Sequence, residues 1–341
     1  MREYDLVVIG AGPAGIALCA EARQAGVPAE RTVVLEKGQI HSWNIRKFYP
    51  EGKPVTANFK GIEARCEGVL CIPDLSREAA ISYLDRAIRE SGVEVRYEEP
   101  VRRIGRREDG LLEVEASAET YVAPVVVIAI GILERPNKPS HPIPAAVRDK
   151  VHFEVTSEAM EGLDVLVVGG GDTAAEYAQF LVQRGNRVVL SYRGRELNRP
   201  NPINRDSVLA LESRGELRIL WSSNTQALEA AGGKVSVSFA EPEHAPLPVD
   251  RVVFSLGGST PENFLRAAGI EYDGPNPKLT EGFATSVPGL FLAGDLTAGR
   301  KGGSIILAFN SAAQAMRQIC QDHGICRRTP IVPTGLDPIE T

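Results

Sequence analysis

One pattern occurs twice along this chain and constrains its fold more than any other feature. An apolar strand is followed by a glycine-rich turn, a helix of small residues and a second apolar strand, first over residues 6–35 and again over residues 165–190. Unbroken apolar runs of this kind are typical of strands that are buried on both faces of a parallel sheet. A chain of 341 residues is longer than one hydrophobic core usually supports, which favours two domains. We therefore predict an α/β protein with two Rossmann-like domains.

Charge, hydropathy and cysteine content argue against several classes of protein. The formal net charge of −6 disfavours nucleic acid or an anionic membrane surface as a partner. No apolar run approaches the roughly 18–20 residues of a membrane span. A buried-strand pattern follows residues 1–5 directly and leaves no room for a signal peptide, so we expect a cytoplasmic protein. Five cysteines, an odd number, do not fit a secreted disulfide framework.

The first glycine-rich turn has the form of a dinucleotide-binding motif. It consists of Gly10, Ala11, Gly12, Pro13, Ala14 and Gly15. The first glycine permits the tight turn, the second lets the backbone approach a pyrophosphate, and the third lets the helix pack on the strand. Amide groups at the helix N-terminus then face the phosphates. Glu36 ends the second strand, where its carboxylate can accept hydrogen bonds from ribose hydroxyls.

The second glycine-rich turn is followed by basic residues where the first is followed by an acid. The turn consists of Gly169, Gly170, Gly171, Asp172, Thr173 and Ala174. At the end of its second strand stand Tyr192, Arg193 and Arg195, with Arg199 nearby. Guanidinium groups suit a 2′-phosphate through forked, charge-assisted hydrogen bonds, so this pattern favours NADPH over NADH. The alternative is a solvated basic loop.

Four motifs in this order resemble the two-dinucleotide flavoproteins, and within them the low-molecular-weight thioredoxin reductases. The first turn with Glu36 resembles the FAD fingerprint of that family, and residues 169–174 resemble its NADPH motif. Residues 128–131 stand where the family has its Ala-Thr-Gly strand end. Residues 286–295 resemble the second FAD motif, whose aspartate, here Asp295, binds the ribityl chain.

The resemblance implies three-layer ββα dinucleotide-binding domains, FAD and NADPH as cofactors, and a homodimer. It implies a discontinuous FAD domain of residues 1–136 and 280–341, with an NADPH domain of residues 137–279 inserted. The helix that begins near Ser304 would then direct its positive N-terminus at the flavin ring. The residues assigned to FAD are Gly10, Gly12, Pro13, Ala14, Gly15, Glu36, Lys37, Tyr49, Ala129, Gly131, Gly294, Asp295, Ser304 and Ile305. The residues assigned to NADPH are Gly169, Gly171, Asp172, Thr173, Ala174, Tyr192, Arg193, Arg195 and Gly257.

The chain departs from the thioredoxin reductases at the site of their Cys-x-x-Cys pair. Residues 159–163, just ahead of the second glycine-rich turn, contain no cysteine, so thioredoxin reduction by that dithiol is excluded. Two related groups also lack the pair. Tyr49, with the Pro-Glu that follows it, resembles the flavin-stacking segment of ferredoxin–NADP reductases of thioredoxin-reductase type. Residues 43–59 and 192–194 resemble the bacillithiol-disulfide reductases, but that group has a cysteine where this chain has Ala14.

Two cysteine pairs are candidates for redox chemistry. Cys66 and Cys71 resemble the Cys-x4-Cys-Ile-Pro motif of the larger disulfide reductases, although that motif follows the ribose acid sooner. Such a pair can close a disulfide, and a thiolate of low pKa beside a flavin can relay two electrons. We take Cys66 and Cys71 as candidate catalytic residues; the alternative is two buried structural thiols. Cys320 and Cys326 flank Gly324, which we expect to be a helix C-cap with incidental cysteines and no metal site.

These observations predict an FAD-dependent NAD(P)H oxidoreductase. NADPH would reduce the flavin, which would pass electrons to a small redox protein or a low-molecular-weight disulfide. We favour a disulfide-type acceptor, reached through Cys66 and Cys71 or directly. The alternatives are a ferredoxin/flavodoxin–NADP reductase, a slow-turnover redox-sensing flavoprotein and a flavin monooxygenase.

Overall fold

The computed structural model of the protein describes residues 1–56, 65–132, 136–257, 261–298 and 304–328, and the backbone of residues 58–59 and 62–63. The strands, numbered in chain order, are β1 Arg2–Glu3, β2 Leu6–Ile9, β3 Thr32–Leu35, β4 Pro54–Val55, β5 Asn58–Phe59, β6 Ile62–Glu63, β7 Leu75–Ser76, β8 Glu94–Arg96, β9 Val101–Arg106, β10 Leu112–Ala116, β11 Thr120–Ala123, β12 Val125–Ile128, β13 Val151–His152, β14 Asp164–Val168, β15 Arg187–Tyr192, β16 Leu217–Trp221, β17 Thr225–Ala231, β18 Lys234–Phe239, β19 Leu247–Val249, β20 Arg251–Phe254, β21 Tyr272–Asp273, β22 Asn276–Pro277 and β23 Leu290–Leu292. The α-helices are α1 Pro13–Gln24, α2 Trp43–Phe48, α3 Arg77–Ser91, α4 Asp172–Gln183, α5 Pro202–Ser213, α6 Glu262–Ala267, α7 Asp295–Ala298 and α8 Ile305–His323. Short 3₁₀ helices are Ala29–Arg31, Ala145–Lys150 and Glu281–Phe283.

The chain divides into two compact units. Unit 1 consists of Met1–Arg46, Glu51–Ile132 and Thr260–Thr341, and unit 2 consists of Lys47–Pro50 and Leu133–Ser259. This division differs from the predicted domain boundaries at residues 47–50, 133–136 and 260–279. A proline-rich stretch, residues 135–144, lies near the predicted domain boundary, and its first residue lies outside the described residues.

Unit 1 has a parallel sheet in the order β23-β12-β2-β3-β8. Successive residues of a strand point to opposite faces. Val7 and Ile9 share a core with the mixed sheet β1-β11-β10-β9, whereas Val8 lies under Gly15 of α1. On that second face α1 packs against α3 and α8. The unit therefore has three layers, and the carboxyl ends of its parallel strands meet at one edge.

Unit 2 repeats this architecture with a second parallel sheet, in the order β13-β20-β14-β15-β16. Val165 and Val167 pack with α4 and α5. Leu166 and Val168 pack with the antiparallel sheet β17-β18-β19. Both units are thus three-layer ββα structures, which confirms the predicted fold class.

Helix boundaries follow local signals where these are strong. The Ser76 hydroxyl accepts a hydrogen bond from the Ala79 amide at the start of α3, and Gly92 ends that helix with φ 69°. The segment between β3 and α3 contains α2 and the short pairs β4–β7 and β5–β6. These elements are too short to show a hydrophobic period. Within the described ranges, none of the helices combines the length and hydropathy of a membrane span.

Candidate functional site

In the first glycine-rich turn, Gly10 and Gly15 leave no space for a side chain, whereas Gly12 is open. Gly10 has φ 103°, and a Cβ there would lie 2.7 Å from Ala129 O. A Cβ on Gly15 would overlap the carbonyl oxygen of Gly10. At Gly12, the N-cap of α1, a Cβ would meet no described atom nearer than Ala129 O at 4.0 Å. The open position is the one where a bound diphosphate needs close backbone approach, so the turn fits FAD.

Glu36 holds the first glycine-rich turn from the end of β3. Its carboxylate is 7% exposed; Oε2 accepts from the Ala11 amide at 2.8 Å and Oε1 accepts from the Gly38 amide at 2.7 Å. A carboxylate offers about four lone-pair positions. It can therefore keep both backbone bonds and still accept from ribose hydroxyls at this edge of the sheet.

The second FAD motif lies against the first turn. Gly294 follows β23 with φ 74°, and a Cβ there would lie 3.0 Å from the Cβ of Ala14. Its amide donates to the Ser311 hydroxyl of α8 at 2.7 Å, and Ala129 joins the same edge by donating to Ile9 O. The structure therefore brings together motifs that are more than 100 residues apart in the sequence.

The other residues assigned to FAD lie in different surroundings. Asp295 is the first residue of α7, and Ser304 caps α8 by accepting from the Leu307 amide at 3.4 Å. Lys37 is exposed. Tyr49 groups with unit 2, and its stacking on a flavin stays a prediction. The glycines between Asp295 and Ser304, at positions 299, 302 and 303, lie outside the described residues.

A partly buried polar cluster beside the first turn was not predicted from the sequence. We call His41, Ser42, Arg46 and Asp85 the His41 cluster. His41 is 3% exposed; its Nε2 lies 2.6 Å from Asp85 Oδ1 and its Nδ1 lies 3.1 Å from Ser42 Oγ. Arg46 donates to Asp85 Oδ1 at 3.0 Å. The only sequence signal was the adjacent His-Ser pair a few residues after Glu36.

The second glycine-rich turn is also shaped for a phosphate. Gly169 follows β14 with φ 156°, and a Cβ there would overlap Ser255 O. A Cβ on Gly170 would overlap the ring of Tyr192, which is 5% exposed. At Gly171, the N-cap of α4, a Cβ would meet no described atom within 4 Å. Tyr192 therefore forms the wall of the turn, and the backbone at Gly171 is accessible.

Asp172 connects the second turn to α5. Its Oδ1 accepts from the Asn201 amide at 2.7 Å, from Asn201 Nδ2 at 2.6 Å and from Asn204 Nδ2 at 3.0 Å. Asn201 is itself the N-cap of α5 and accepts from the Asn204 amide. The sequence analysis assigned Asp172 to NADPH, and the structure adds this bracing contact.

The residues between Tyr192 and Asn201 form the arginine loop. Arg193, Arg195 and Arg199 are exposed, and no ion pair to them is found among the described residues. Thr173 and Gly257 are also exposed, the latter accepting from the Asn137 amide. Three guanidinium groups are therefore available to an anion near the open turn.

Cys66 and Cys71 form a disulfide bond in unit 1, with their Cα atoms 5.5 Å apart. We call residues 66–71 the cysteine ring. Both cysteines are half-buried, which corrects the alternative of two free buried thiols. Both cysteines are therefore partly exposed to solvent.

Side chains from three helices hold the cysteine ring. The Glu67 amide donates to Asn310 Oδ1 at 2.9 Å, and Arg317 Nη1 donates to the Glu67 carbonyl oxygen at 3.1 Å. The Val69 amide donates to Glu21 Oε1 at 2.5 Å, and the Cys71 amide donates to the Tyr83 hydroxyl at 3.1 Å. The ring conformation is thus held by α1, α3 and α8 as well as by the sulfur–sulfur bond.

Cys320 and Cys326 form a second disulfide, with Cα atoms 5.2 Å apart. We expected these cysteines to be incidental, and this expectation was wrong. Gly324 is the expected C-cap of α8, with φ 61°, and its left-handed turn brings Cys326 back to Cys320. Cys19 is the remaining thiol; it is buried in the core, and burial raises its pKa to about 12.

Glu21 accepts a hydrogen bond from the cysteine ring, and its raised pKa should make the stability of the folded protein depend on pH. Burial raises its pKa from 4.5 to about 7, although the Val69 amide and Arg317 oppose the rise. A carboxyl whose folded pKa exceeds its unfolded pKa stabilises the fold at low pH, and this contribution is lost as the pH rises to the folded pKa. The interval from 4.5 to about 7 corresponds to about 3 kcal/mol.

We therefore expect the free energy of unfolding of the wild type, measured in urea, to fall by about 3 kcal/mol more than that of Glu21→Gln between about pH 5 and pH 8. Glu67→Gln, in the same ring but partly exposed, is the matched control and should keep the wild-type slope. Equal slopes for the wild type and Glu21→Gln would contradict the prediction.

Comparison with known proteins agrees with both glycine-rich turns. The pyridine nucleotide-disulphide oxidoreductase family matches residues 7–294. A ferredoxin–NADP reductase of Ignicoccus hospitalis is 30% identical over 309 residues, covering 86% of this chain and 90% of that protein. The bacilliredoxin reductase Bdr of Bacillus subtilis is 27% identical over 320 residues, covering 90% and 94%.

Solved structures show the same fold at lower identity. The bacillithiol disulfide reductase Bdr of Staphylococcus aureus has a TM-score of 0.78 at 18% identity, covering 95% of this chain and all of that chain. The thioredoxin reductase of Lactococcus lactis has a TM-score of 0.74 at 21% identity, covering 94% and 98%. With the two phosphate turns and the family match together, the chain belongs to the pyridine nucleotide-disulphide oxidoreductase family and is an FAD-dependent NAD(P)H oxidoreductase.

Proposed function

We propose that this oxidoreductase passes electrons from NADPH to a disulfide-type acceptor through Cys66 and Cys71. The observation that carries the proposal is the cysteine ring: the two sulfurs are bonded and half-buried, and three helices of unit 1 hold the residues between them. A ring held in this way keeps the two thiols close after reduction, which favours repeated opening and closing of the bond.

The position of the cysteine ring along α8 favours this ring, and not the second disulfide, as the pair that exchanges electrons with the flavin. Asn310 and Arg317, which both hold Glu67, lie six and thirteen residues after the N-cap Ser304, or about 9 Å and about 20 Å along the helix axis. Cys320 lies sixteen residues after Ser304, or about 24 Å along it. If the N-terminus of α8 faces the flavin, as the family resemblance implies, the ring is the nearer of the two pairs.

The proposed reaction balances without a further reductant. Bound FAD supplies the two-electron chemistry between nicotinamide and disulfide. NADPH, a proton and the Cys66–Cys71 disulfide give NADP⁺ and two thiols; the S–S bond breaks, and its sulfurs take two electrons and two protons. One thiolate then attacks the acceptor disulfide, forming a mixed disulfide and releasing one thiol. The other cysteine closes the ring again and releases the second thiol.

The cofactor contacts are part of the same proposal. Gly12 and Gly171 would admit the two diphosphates, Glu36 would bind the FAD ribose, and Asp295 the ribityl chain. Arg193 and Arg195 would bind the 2′-phosphate of NADPH, which their exposure and lack of ion pairs among the described residues support. On the family resemblance alone, we also propose a homodimer in the cytoplasm.

A ferredoxin–NADP reductase is the second candidate. The relative from Ignicoccus hospitalis carries that name at 30% identity, and Tyr49, Pro50 and Glu51 resemble a segment of such enzymes. The Bdr and thioredoxin reductase relatives favour a disulfide. A one-electron acceptor would leave both cysteine pairs unused.

Anaerobic titration with NADPH tests the proposal. The FAD-loaded protein is titrated while electrons per flavin and free thiols are counted, with Cys320→Ser/Cys326→Ser as the control variant. We expect uptake of four electrons per flavin and two new thiols in both proteins. Uptake of two electrons with unchanged thiols would overturn the proposal, and so would loss of the two new thiols in the control variant.

A further inference from the structure

The side chain of Asn310 binds the peptide groups on both sides of Cys66. Asn310 lies on α8 and is 5% exposed. Its Nδ2 donates to the Arg65 carbonyl oxygen at 2.7 Å, and its Oδ1 accepts from the Glu67 amide at 2.9 Å. One side-chain amide therefore bonds the backbone groups that precede and follow Cys66, and it fixes the main chain at the first sulfur of the cysteine ring.

The other contacts that hold the cysteine ring are also made to its main chain. Side chains of α8, α1 and α3 bind the Glu67 carbonyl oxygen, the Val69 amide and the Cys71 amide. These hydrogen bonds end on backbone atoms, so breaking the sulfur–sulfur bond removes none of them directly. A reduced ring can therefore keep the backbone path of the oxidised ring.

A backbone that is held in this way favours the disulfide over the two thiols. Closing a disulfide costs conformational freedom, because the segment between the cysteines must adopt one path. Where hydrogen bonds already impose that path on the dithiol, this cost is smaller and the disulfide forms more readily. A disulfide that forms more readily has a lower reduction potential, and its dithiol is a stronger reductant of other disulfides.

We propose that Asn310 is a positioning residue that holds Cys66 in place after the disulfide is opened, and thereby lowers the reduction potential of the Cys66–Cys71 pair. Asn310 then acts in opposite directions on the two halves of turnover. It makes the disulfide harder for the flavin to reduce, and it makes the dithiol a stronger reductant of the acceptor. The use of the pair in turnover rests on the proposed function, whereas the potential is a property of the pair itself.

Gln314 is the matched control on the same face of α8. It lies one turn after Asn310, and its Nε2 donates to Glu67 Oε2 at 2.7 Å. The Glu67 carboxylate is a side-chain group that is 44% exposed, and it can swing away without moving the backbone at Cys66. Gln314 is therefore a second amide bonded to the same residue, but its bond does not hold the main chain of the ring.

The equilibrium between the cysteine pair and dithiothreitol tests the proposal. The FAD-loaded Cys320→Ser/Cys326→Ser protein is used, so that the second disulfide does not contribute. The two thiols of the reagent give two electrons and two protons to the Cys66–Cys71 disulfide and form a cyclic disulfide, while the cysteines become thiols. Free thiols are counted by alkylation and mass spectrometry at a single pH, because Glu21 beside the ring has a pKa of about 7.

We expect Asn310→Leu, made in this protein, to lower the equilibrium constant for closing the disulfide about tenfold, because the backbone at Cys66 becomes free in the dithiol. A tenfold change corresponds to a reduction potential about 30 mV higher. Gln314→Leu should stay within about twofold of the unsubstituted protein. An unchanged or lower potential in Asn310→Leu, or an equal shift in both variants, would overturn the proposal.

Hydrogen exchange at the Glu67 amide is a second test, made without a substitution at position 310, so that no folding defect of a variant can affect it. This amide should remain protected when the disulfide is reduced, because Asn310 keeps its bond. Exchange at the rate of an unprotected amide in the dithiol would contradict the proposal. Both tests omit NADPH and an acceptor, so their failure leaves the disulfide acceptor standing. Failure of the NADPH titration would likewise leave the measured potential valid.

Discussion

Serine at position 66 or 71 is expected to lower kcat/KM for a soluble aromatic disulfide by about 100-fold or more, while flavin content and reduction of the flavin by NADPH stay unchanged. Removing either sulfur removes the bond that stores the two electrons. The fold should persist, because Glu21, Asn310 and Arg317 bind backbone groups of the cysteine ring that serine leaves in place.

Steady-state turnover under anaerobic conditions, with flavin reduction followed separately by stopped flow, measures this effect. Cys320→Ser is the matched control, since it removes the second disulfide of the same unit. Wild-type turnover in Cys66→Ser and Cys71→Ser would show that the acceptor takes electrons from the flavin directly, and would contradict the role of the ring.

Alanine at Gly15 is expected to abolish FAD binding, raising the dissociation constant by about 100-fold or more, and to destabilise unit 1. The added Cβ would overlap the carbonyl oxygen of Gly10 and lie 3.1 Å from its carbonyl carbon. Both are backbone atoms of the turn, so α1 and β2 must separate. Overpacking of this kind costs about 1–3 kcal/mol or more.

Gly12→Ala separates the two effects of such a change. Its Cβ would meet no described atom closer than 4.0 Å, so the apoprotein should keep the wild-type unfolding midpoint. FAD should nevertheless bind more weakly, because the Cβ occupies space that the diphosphate needs. Flavin fluorescence and thermal unfolding of both variants check this. A Gly15→Ala protein with normal FAD affinity would contradict the packing argument.

Sequence was sufficient for the parts of the fold that depend on local patterns. The apolar runs of β2, β3, β14 and β15 each lie beside a glycine-rich turn, and both the period and the turn chemistry are contained within about 30 residues. Gly324 marked the end of α8 for the same reason, because a left-handed C-cap favours glycine wherever the helix packs. The open and closed positions of the two turns follow from the same motif.

Contacts between distant segments were not predictable from one sequence. His41 and Asp85 are 44 residues apart, and nothing in either neighbourhood marks them as partners. The Cys320–Cys326 bond depends on how the chain turns after α8, and α2 is too short to show a period. The ring contacts of Glu21 and Arg317 likewise arise only when α1 and α8 pack side by side.

Both ends of the arginine loop are attached to the second glycine-rich turn. It leaves β15 at Tyr192, whose ring covers Gly170, and it ends at Asn201, which Asp172 binds through two hydrogen bonds. A segment with fixed ends can change its length and composition without moving the turn that it borders. Residues 193–200 can therefore be replaced while the rest of unit 2 keeps its structure. If their arginines bind the 2′-phosphate, as we propose, such a replacement would change the preference between the two nicotinamide coenzymes.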